Sequence, residues 1–239
     1  MSAAEVLRRL RSLSDPRIVE GMGRYGIPSA NAFGISTPTI RSLAKELGRD
    51  QKLSLKLWRT GYLEARAIAF LIGDPSKVTE AQMERWAKDF DSWAVCDGCC
   101  SNLFDKTPFA FSKALQWSKR KEEFVKRAGF VLMAALAVHD KKASDREFVR
   151  FLRAIVRGSA DGRNFVKKGV NWALRQIGKR NKKLNRLAIR TAEELRSLGS
   201  QSARWIASDA MRELKSAAVQ RKLEVGQGKL GRIARNRQG

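Results

Sequence analysis

Apolar residues recur at three- and four-residue intervals along most of this chain, and no alternating β-branched run reaches strand length, so the pattern predicts an all-α protein. Residues 1–22 read as one amphipathic helix broken near Asp15-Pro16, and Tyr25 to Gly34 form a loop rich in turn residues. Ser36-Thr37-Pro38 opens a helix with a hydroxyl cap and a proline in the first turn, and Gly48 closes it. Helical segments then follow one another with short breaks at Gly61, Asp74-Pro75, Thr107-Pro108, Asp140, Gly158 to Gly162, Gly178 and Gly199.

The helices are not independent of one another. Phe124-Val125-Lys126-Arg127-Ala128-Gly129 recurs as Phe165-Val166-Lys167-Lys168-Gly169-Val170, with weaker echoes starting at Leu63 and Gln201. A period of about 40 residues with two helices per unit is the spacing of HEAT-like repeats, which predicts an α-solenoid whose concave basic face is open to an extended partner. One such domain is expected over residues 1–220, and residues 221–239, basic and poor in apolar side chains, are expected to be a flexible tail.

Chemistry concentrates in Asp89 to Phe104. Taken as a helix capped by Asp91 or Ser92, this stretch puts Trp93, Asp97, Cys100 and Phe104 on one stripe and Val95, Cys96, Cys99 and Leu103 on a second apolar face. Asp97 is then the only charge in three apolar turns. A carboxylate there must be paired, neutralised or open to a cleft that uses its charge, and the indole one turn earlier offers an electron-rich face beside it. Two readings fit: a cation-binding pocket, or a core helix whose Asp97 pairs with a structural arginine.

Two other helices carry candidates. Over 165–180 the apolar stripe is Val166, Val170, Ala173, Leu174 and Ile177, and Trp172 lies roughly 145° from its centre, beside Lys168, Arg175 and Lys179. That is either a nucleic-acid surface, with cations for phosphates and a ring for a sugar or base, or a solvated face with Trp172 packed on the next repeat. The 124–138 helix is apolar almost all round, so it is expected in the middle of the stack. Lys126 and Arg127 in its first turn oppose the helix dipole, which calls for a phosphate, Asp97 or an ordinary ion pair.

Charge narrows the partners. The 239 residues carry 48 Lys+Arg against 24 Asp+Glu, a net +24 with a pI near 10.7, and 43% hydrophobic residues are enough to build a core. From Arg163 onward 20 Lys+Arg face 5 Asp+Glu, so the excess lies toward the C-terminal third. A polyanion is implied, most commonly nucleic acid, with an anionic membrane surface as the rival. No secretory leader or spanning segment is evident, so an intracellular, cytoplasmic protein is expected, and nothing points to more than a monomer. Cys96, Cys99, Cys100 and the single histidine, His139, do not make a zinc pattern, and neither metal nor cofactor is expected. Small buried reduced thiols are the reading.

The segments Phe33 to Pro38, Leu57-Trp58, Glu64-Ala65-Arg66, Asp91 to Asp97, Lys126-Arg127-Ala128 and Asn171 to Arg175 resemble the AlkD-type DNA alkylation-repair glycosylases, which are built of HEAT-like repeats. The resemblance covers roughly residues 20–215. It implies excision of cationic alkylated purines, such as 7-methylguanine and 3-methyladenine, from double-stranded DNA by a monofunctional enzyme that lacks lyase activity and works in an open cleft. By position Asp97 matches the family's catalytic carboxylate, Trp93 and Trp172 its cleft aromatics, Arg127 its cleft arginine and Tyr25 an aromatic near the duplex. Ala94 and Ser36 depart from residues common among relatives, the second bearing on lesion preference. The charge, the repeats and Trp172 also fit a non-catalytic helical-repeat scaffold for nucleic acid, and a solenoid for an acidic protein is a third, weaker reading.

Overall fold

Helix ends follow the local chemistry of the chain. The computed structural model describes residues 1–225, and among them there are helices and turns but no strand. The chain divides after Ala110 into two compact units.

In the first unit α1 (Ala3–Ser12) begins with a Ser2/Glu5 capping box, and α2 (Pro16–Met22) has Asp15 as its cap and Pro16 at its first position. The break expected at Asp15-Pro16 is the α1–α2 junction. Helix α3 (Thr37–Leu47) is capped by Ser36 and ends at Gly48. Then come α4 (Gln51–Trp58), α5 (Leu63–Ile72), α6 (Glu80–Lys88) and α7 (Trp93–Asn102), with short 3-10 turns at Gly23–Tyr25, Pro75–Lys77 and Phe104–Lys106. Helix α5 packs on both α3 and α7, which sets these three side by side, and α1 and α4 also pack on α5. Trp58 and Trp86 stack face to face at 3.9 Å in this core, with Phe90 and Phe104 at their edges.

The second unit takes up α8 (Ala110–Trp117), α9 (Glu123–His139), α10 (Asp145–Gly158), α11 (Asn164–Gly178), α12 (Lys182–Ser197) and α13 (Gln201–Leu214). Here α9 packs on α11 and α11 on α13, while α10 packs on α12, so alternate helices form two layers, as two-helix repeats do when they stack. The sequence echoes at 63, 124, 165 and 201 are the first turns of α5, α9, α11 and α13. Helix α9 is buried from Val125 to Ala137 almost without interruption, the central position its composition implied. Residues 217–225 form a further helix with Val219 and Leu223 buried, so the basic C-terminal segment is helical to residue 225; the rest of the expected tail, 226–239, lies outside the described residues.

One close approach sets the α8–α9 spacing. A Cβ on Gly129 would lie 2.4 Å from the backbone nitrogen of Ser118 and 2.9 Å from the carbonyl oxygen of Ala114, and backbone atoms cannot step aside as a side chain can. Gly129→Ala is therefore expected to cost roughly 1–3 kcal/mol in chemical unfolding through overpacking. Gly21→Ala in α2, where a Cβ meets nothing within 4 Å, is expected to be neutral or stabilising by up to about 1 kcal/mol.

Candidate active site and nucleic-acid interface

Helix α7 is held in place by the turn before it. Trp58 Nε1 donates to Asp89 at 2.7 Å, and Arg66, whose guanidinium lies over the Trp58 ring, donates to the Asp89 carbonyl and pairs with Asp91 at 3.0 Å. Ser92, fully buried, is the cap, and its hydroxyl accepts from Val95 N. With the start of the helix fixed, Val95, Cys96, Cys99 and Cys100 turn inward, while Trp93, Ala94, Asp97 and Gly98 turn toward an open cleft. The stripe differs at its far end from the one expected: α7 stops at Asn102, where Leu103 leaves helical dihedrals, so Phe104 belongs to the following 3-10 turn and is buried with Cys100 in the core. Burial pushes the Cys99 thiol well up and the Cys100 thiol up from the ordinary range, so neither is a reactive thiolate. His139 is exposed, and among the described residues no cluster of His, Cys, Asp and Glu could hold a metal ion.

The cleft has a volume of about 320 Å³. Ile27, Ile40, Leu63, Phe70 and Leu71 make it mostly apolar, and its polar walls are Thr37, Arg41, Asp97 and Asn102, with the Trp93 ring beside them. Trp93 and Asp97, one turn apart, thus share one wall. Both are partly exposed, so the carboxylate is not sealed in the interior. Trp93 Nε1 donates to the Tyr25 carbonyl at 2.8 Å, which brings the backbone of Tyr25 to the indole, and Tyr25 as a whole is 68% exposed. Asn102 donates to the Gly98 carbonyl at 2.7 Å.

The opposite wall depends on Glu64. This side chain is 1% exposed, yet it accepts from three successive backbone amides: Phe33 N at 2.9 Å, Gly34 N at 2.7 Å and Ile35 N at 3.3 Å. Gly34 adopts φ +75°, and a Cβ on it would lie 2.2 Å from the Asp15 carbonyl oxygen, so the chain needs glycine to present those amides. The anchored loop runs directly into Ser36, whose hydroxyl is occupied with Thr39, and into Thr37 and Arg41 on the cleft. Thr37, Arg41 and Asn102 were not singled out from the sequence. The one signal for them was the four-residue spacing of Thr37 and Arg41, which says that they share a face but not what it faces.

In the second unit the charged candidates are mostly engaged. Lys126 pairs with Asp161 at 2.8 Å across to the loop before α11, and Asp161 also pairs with Arg163. Arg127 is 6% exposed and donates through Nη1 to the Phe165 carbonyl at 2.5 Å, which ties α9 to the first turn of α11. On α11, Trp172 is partly exposed, and Gln176 with its carbonyl turned toward them accepts from Trp172 Nε1 at 3.0 Å and Lys179 Nζ at 3.3 Å. The ridge expected of Lys168, Arg175 and Lys179 is not a row of open cations. Lys168 is exposed, but Arg175 and Lys179 each lie 2.6 Å from Glu213 of α13, and Arg175 is 3.8 Å from Asp209. The physical reason is the layer packing, which sets the acidic edge of α13 against the basic edge of α11. Burial pushes the Glu213 carboxyl up, and Lys179 and Arg175 together outweigh it and hold it below the usual range.

Alternating helical layers with an indole and a carboxylate on one open wall define the class, an all-α protein of HEAT-like repeats. The family model for DNA alkylation repair enzymes matches residues 6–214, and the chain belongs to that family. Among solved structures it is similar to a member of a family described as related to the HEAT-like repeat DNA glycosylases with affinity for branched DNA structures, at 20% identity, TM-score 0.74, covering 89% of this chain and 95% of that one. It also matches a designed armadillo repeat protein in complex with a (KR)4 peptide, at 17% identity, TM-score 0.43, over 89% of this chain and 94% of that one. A computationally designed armadillo repeat protein for modular peptide recognition matches at 16% identity, TM-score 0.40, over 88% and 93%. No curated protein matches the chain. Among the described residues no helix is long and apolar enough to cross a membrane.

The Lys126–Asp161–Arg163 cluster gives a test in pH. Arg163, offset by burial and helped by Lys126, holds the Asp161 carboxyl well below the usual carboxylate range. A depressed folded-state value stabilises the fold above the unfolded pKa of about 3.9 and is lost as pH falls toward the folded value. Asp161→Asn is expected to cost on the order of 1–3 kcal/mol in urea unfolding at pH 7, and the gap from wild type should narrow below about pH 4.

Proposed function

We propose that this chain is a monofunctional DNA glycosylase that releases cationic alkylated purines, of the 7-methylguanine and 3-methyladenine type, from double-stranded DNA. The observation that carries the reading is the shared wall of the first-unit cleft, where Trp93 and Asp97 stand side by side and accessible. Family membership supplies the chemical context of alkylated DNA.

A purine alkylated at N7 or N3 already bears a positive charge. It leaves with the electrons of the glycosidic bond as a neutral base, and no general acid has to protonate it. What the protein must supply is stabilisation of the positive charge that grows on the deoxyribose as the bond breaks, as carboxylates do in glycoside hydrolysis. Asp97 fills that role and orients the water whose oxygen bonds to the sugar carbon, its proton passing to the carboxylate or to solvent. The face of Trp93, fixed by its hydrogen bond to Tyr25, favours the same charge. The mixed lining of the cleft serves the same end, because the apolar residues lower the local dielectric and Arg41 gives a backbone phosphate a counter-charge at the rim.

Trp172, partly exposed on α11, is proposed from the resemblance alone as an aromatic that meets the DNA. Arg127, buried and bound to a carbonyl, acts as a positioning residue for α11 rather than as a phosphate ligand. Of the proposed α11 contacts Lys168 is the one exposed for a phosphate, and Arg175 and Lys179 support the helix through Glu213.

Single-turnover release of 7-methylguanine from methylated duplex tests the reading. Wild type is expected to release the base, and Asp97→Asn to do so about 10²- to 10³-fold more slowly while binding the duplex within a few-fold of wild type. Equal rates would remove Asp97 from the mechanism. Duplex binding by wild type with no release of any cationic purine would instead make the chain a DNA-binding scaffold without catalysis.

A further inference from the structure

A second surface, in the other unit, has its own chemistry. Helix α13 buries Ser202, Ala203, Ile206, Ala207 and Ala210, and on its solvent stripe it carries Gln201, Arg204, Trp205 and Ser208. An indole on the solvent stripe of a helix forfeits the burial that normally accounts for a tryptophan. Trp205 is 40% exposed, whereas Trp58, Trp86 and Trp117 are core residues. It borders an open groove of about 600 Å³ whose lining holds two cations, Lys167 and Arg204, and no acid. The acids nearest in sequence are committed elsewhere, Asp161 to Lys126 and Arg163, and Asp209 to Asn171, Arg175 and Arg212. The Lys167 ammonium rests 4.9 Å from the centre of the Trp205 ring.

We infer that this groove is a stacking platform for an unpaired base of single-stranded DNA, with Lys167 and Arg204 holding the flanking phosphates. Three observations select that occupant. The rest of the lining is small or polar, including Ser200, Gln201 and Ser208, so Trp205 lacks the apolar surround that a protein hot spot requires. The groove is cationic, which matches a phosphate backbone. A flat ring beside cations stacks a base only when that base is out of a duplex, and it does so without regard to sequence.

Magnitudes favour exchange at the ring. An exposed cation–π contact is worth about a 2- to 5-fold bias, whereas stacking one base on an aromatic side chain is worth about 5- to 150-fold. An arriving base therefore displaces the Lys167 ammonium, and its own phosphate receives the displaced charge. The inference stands on family membership and on the groove, not on the excision reading, and its test uses no lesion.

Anisotropy titrations of the full-length protein with labelled ten-nucleotide oligothymidylate, and with an abasic oligomer of the same length and charge, separate stacking from charge. Wild type is expected to bind the thymidylate about 5- to 150-fold more tightly than the abasic oligomer. Trp205→Ala should abolish that preference, Trp205→Phe should keep most of it, and Lys167→Gln should weaken both oligomers and lower the salt slope by about 0.7–1. Equal binding of the two oligomers by wild type, or an unchanged preference in Trp205→Ala, would overturn the inference. Since Trp205 is exposed, unchanged helicity and melting temperature in Trp205→Ala confirm that the comparison concerns the ring.

Discussion

A buried carboxylate that accepts from three consecutive backbone amides is what the first unit depends on. Glu64 sits on α5, and Phe33, Gly34 and Ile35 arrive on a loop some thirty residues earlier in the chain. Unpaired, either partner would be a desolvated polar group, costing roughly 1–3 kcal/mol for each amide left without an acceptor. Together they fix the loop that launches α3, and α3 carries one wall of the cleft. Trp58, Arg66, Asp89 and Asp91 do the same for α7 on the other wall. Segments that look scattered in sequence, Phe33 to Pro38, Leu57-Trp58, Glu64 to Arg66 and Asp91 to Asp97, are the two clamps of one cleft.

The second unit solves a different problem. Its helices bury nearly everything that α9 offers, and the cost of ordering charged helix edges is offset by pairing them: Lys126 with Asp161, and Arg175 and Lys179 with Glu213. A net charge of +24 therefore does not translate into open cations wherever basic residues cluster in sequence. Exposed positive charge is left on residues outside these pairs, such as Lys168 on α11 and Arg146, Arg153 and Arg157 on the exposed stripe of α10.

Much of this was legible because it is local. Ser36, Pro38 and Gly48 bound α3, and Ser92 caps α7, through contacts within three or four residues, so the sequence carries their logic directly. The i, i+4 spacing of Trp93 and Asp97 put them on one face, and the echoes at 63, 124, 165 and 201 marked equivalent helices. What escaped was long-range. Arg175 meets Glu213, and Arg127 meets the Phe165 carbonyl, each across 38 residues, and no pattern within one helix announces its partner on another. Arg41 in the cleft and the platform at Trp205 escaped for the same reason, since each depends on which helix comes to lie opposite.

The central claim is electrostatic: Asp97 is set beside Trp93 to stabilise positive charge on a sugar. The most direct measurement compares binding of two product-like duplexes, one with a cationic pyrrolidine in place of the abasic sugar and one with neutral tetrahydrofuran, by wild type and Asp97→Asn. The account predicts a strong preference of wild type for the cationic duplex, of about 10²-fold or more as transition-state mimics show, and its collapse in Asp97→Asn. Equal affinity of wild type for the two duplexes, or a preference that survives in Asp97→Asn, would contradict it.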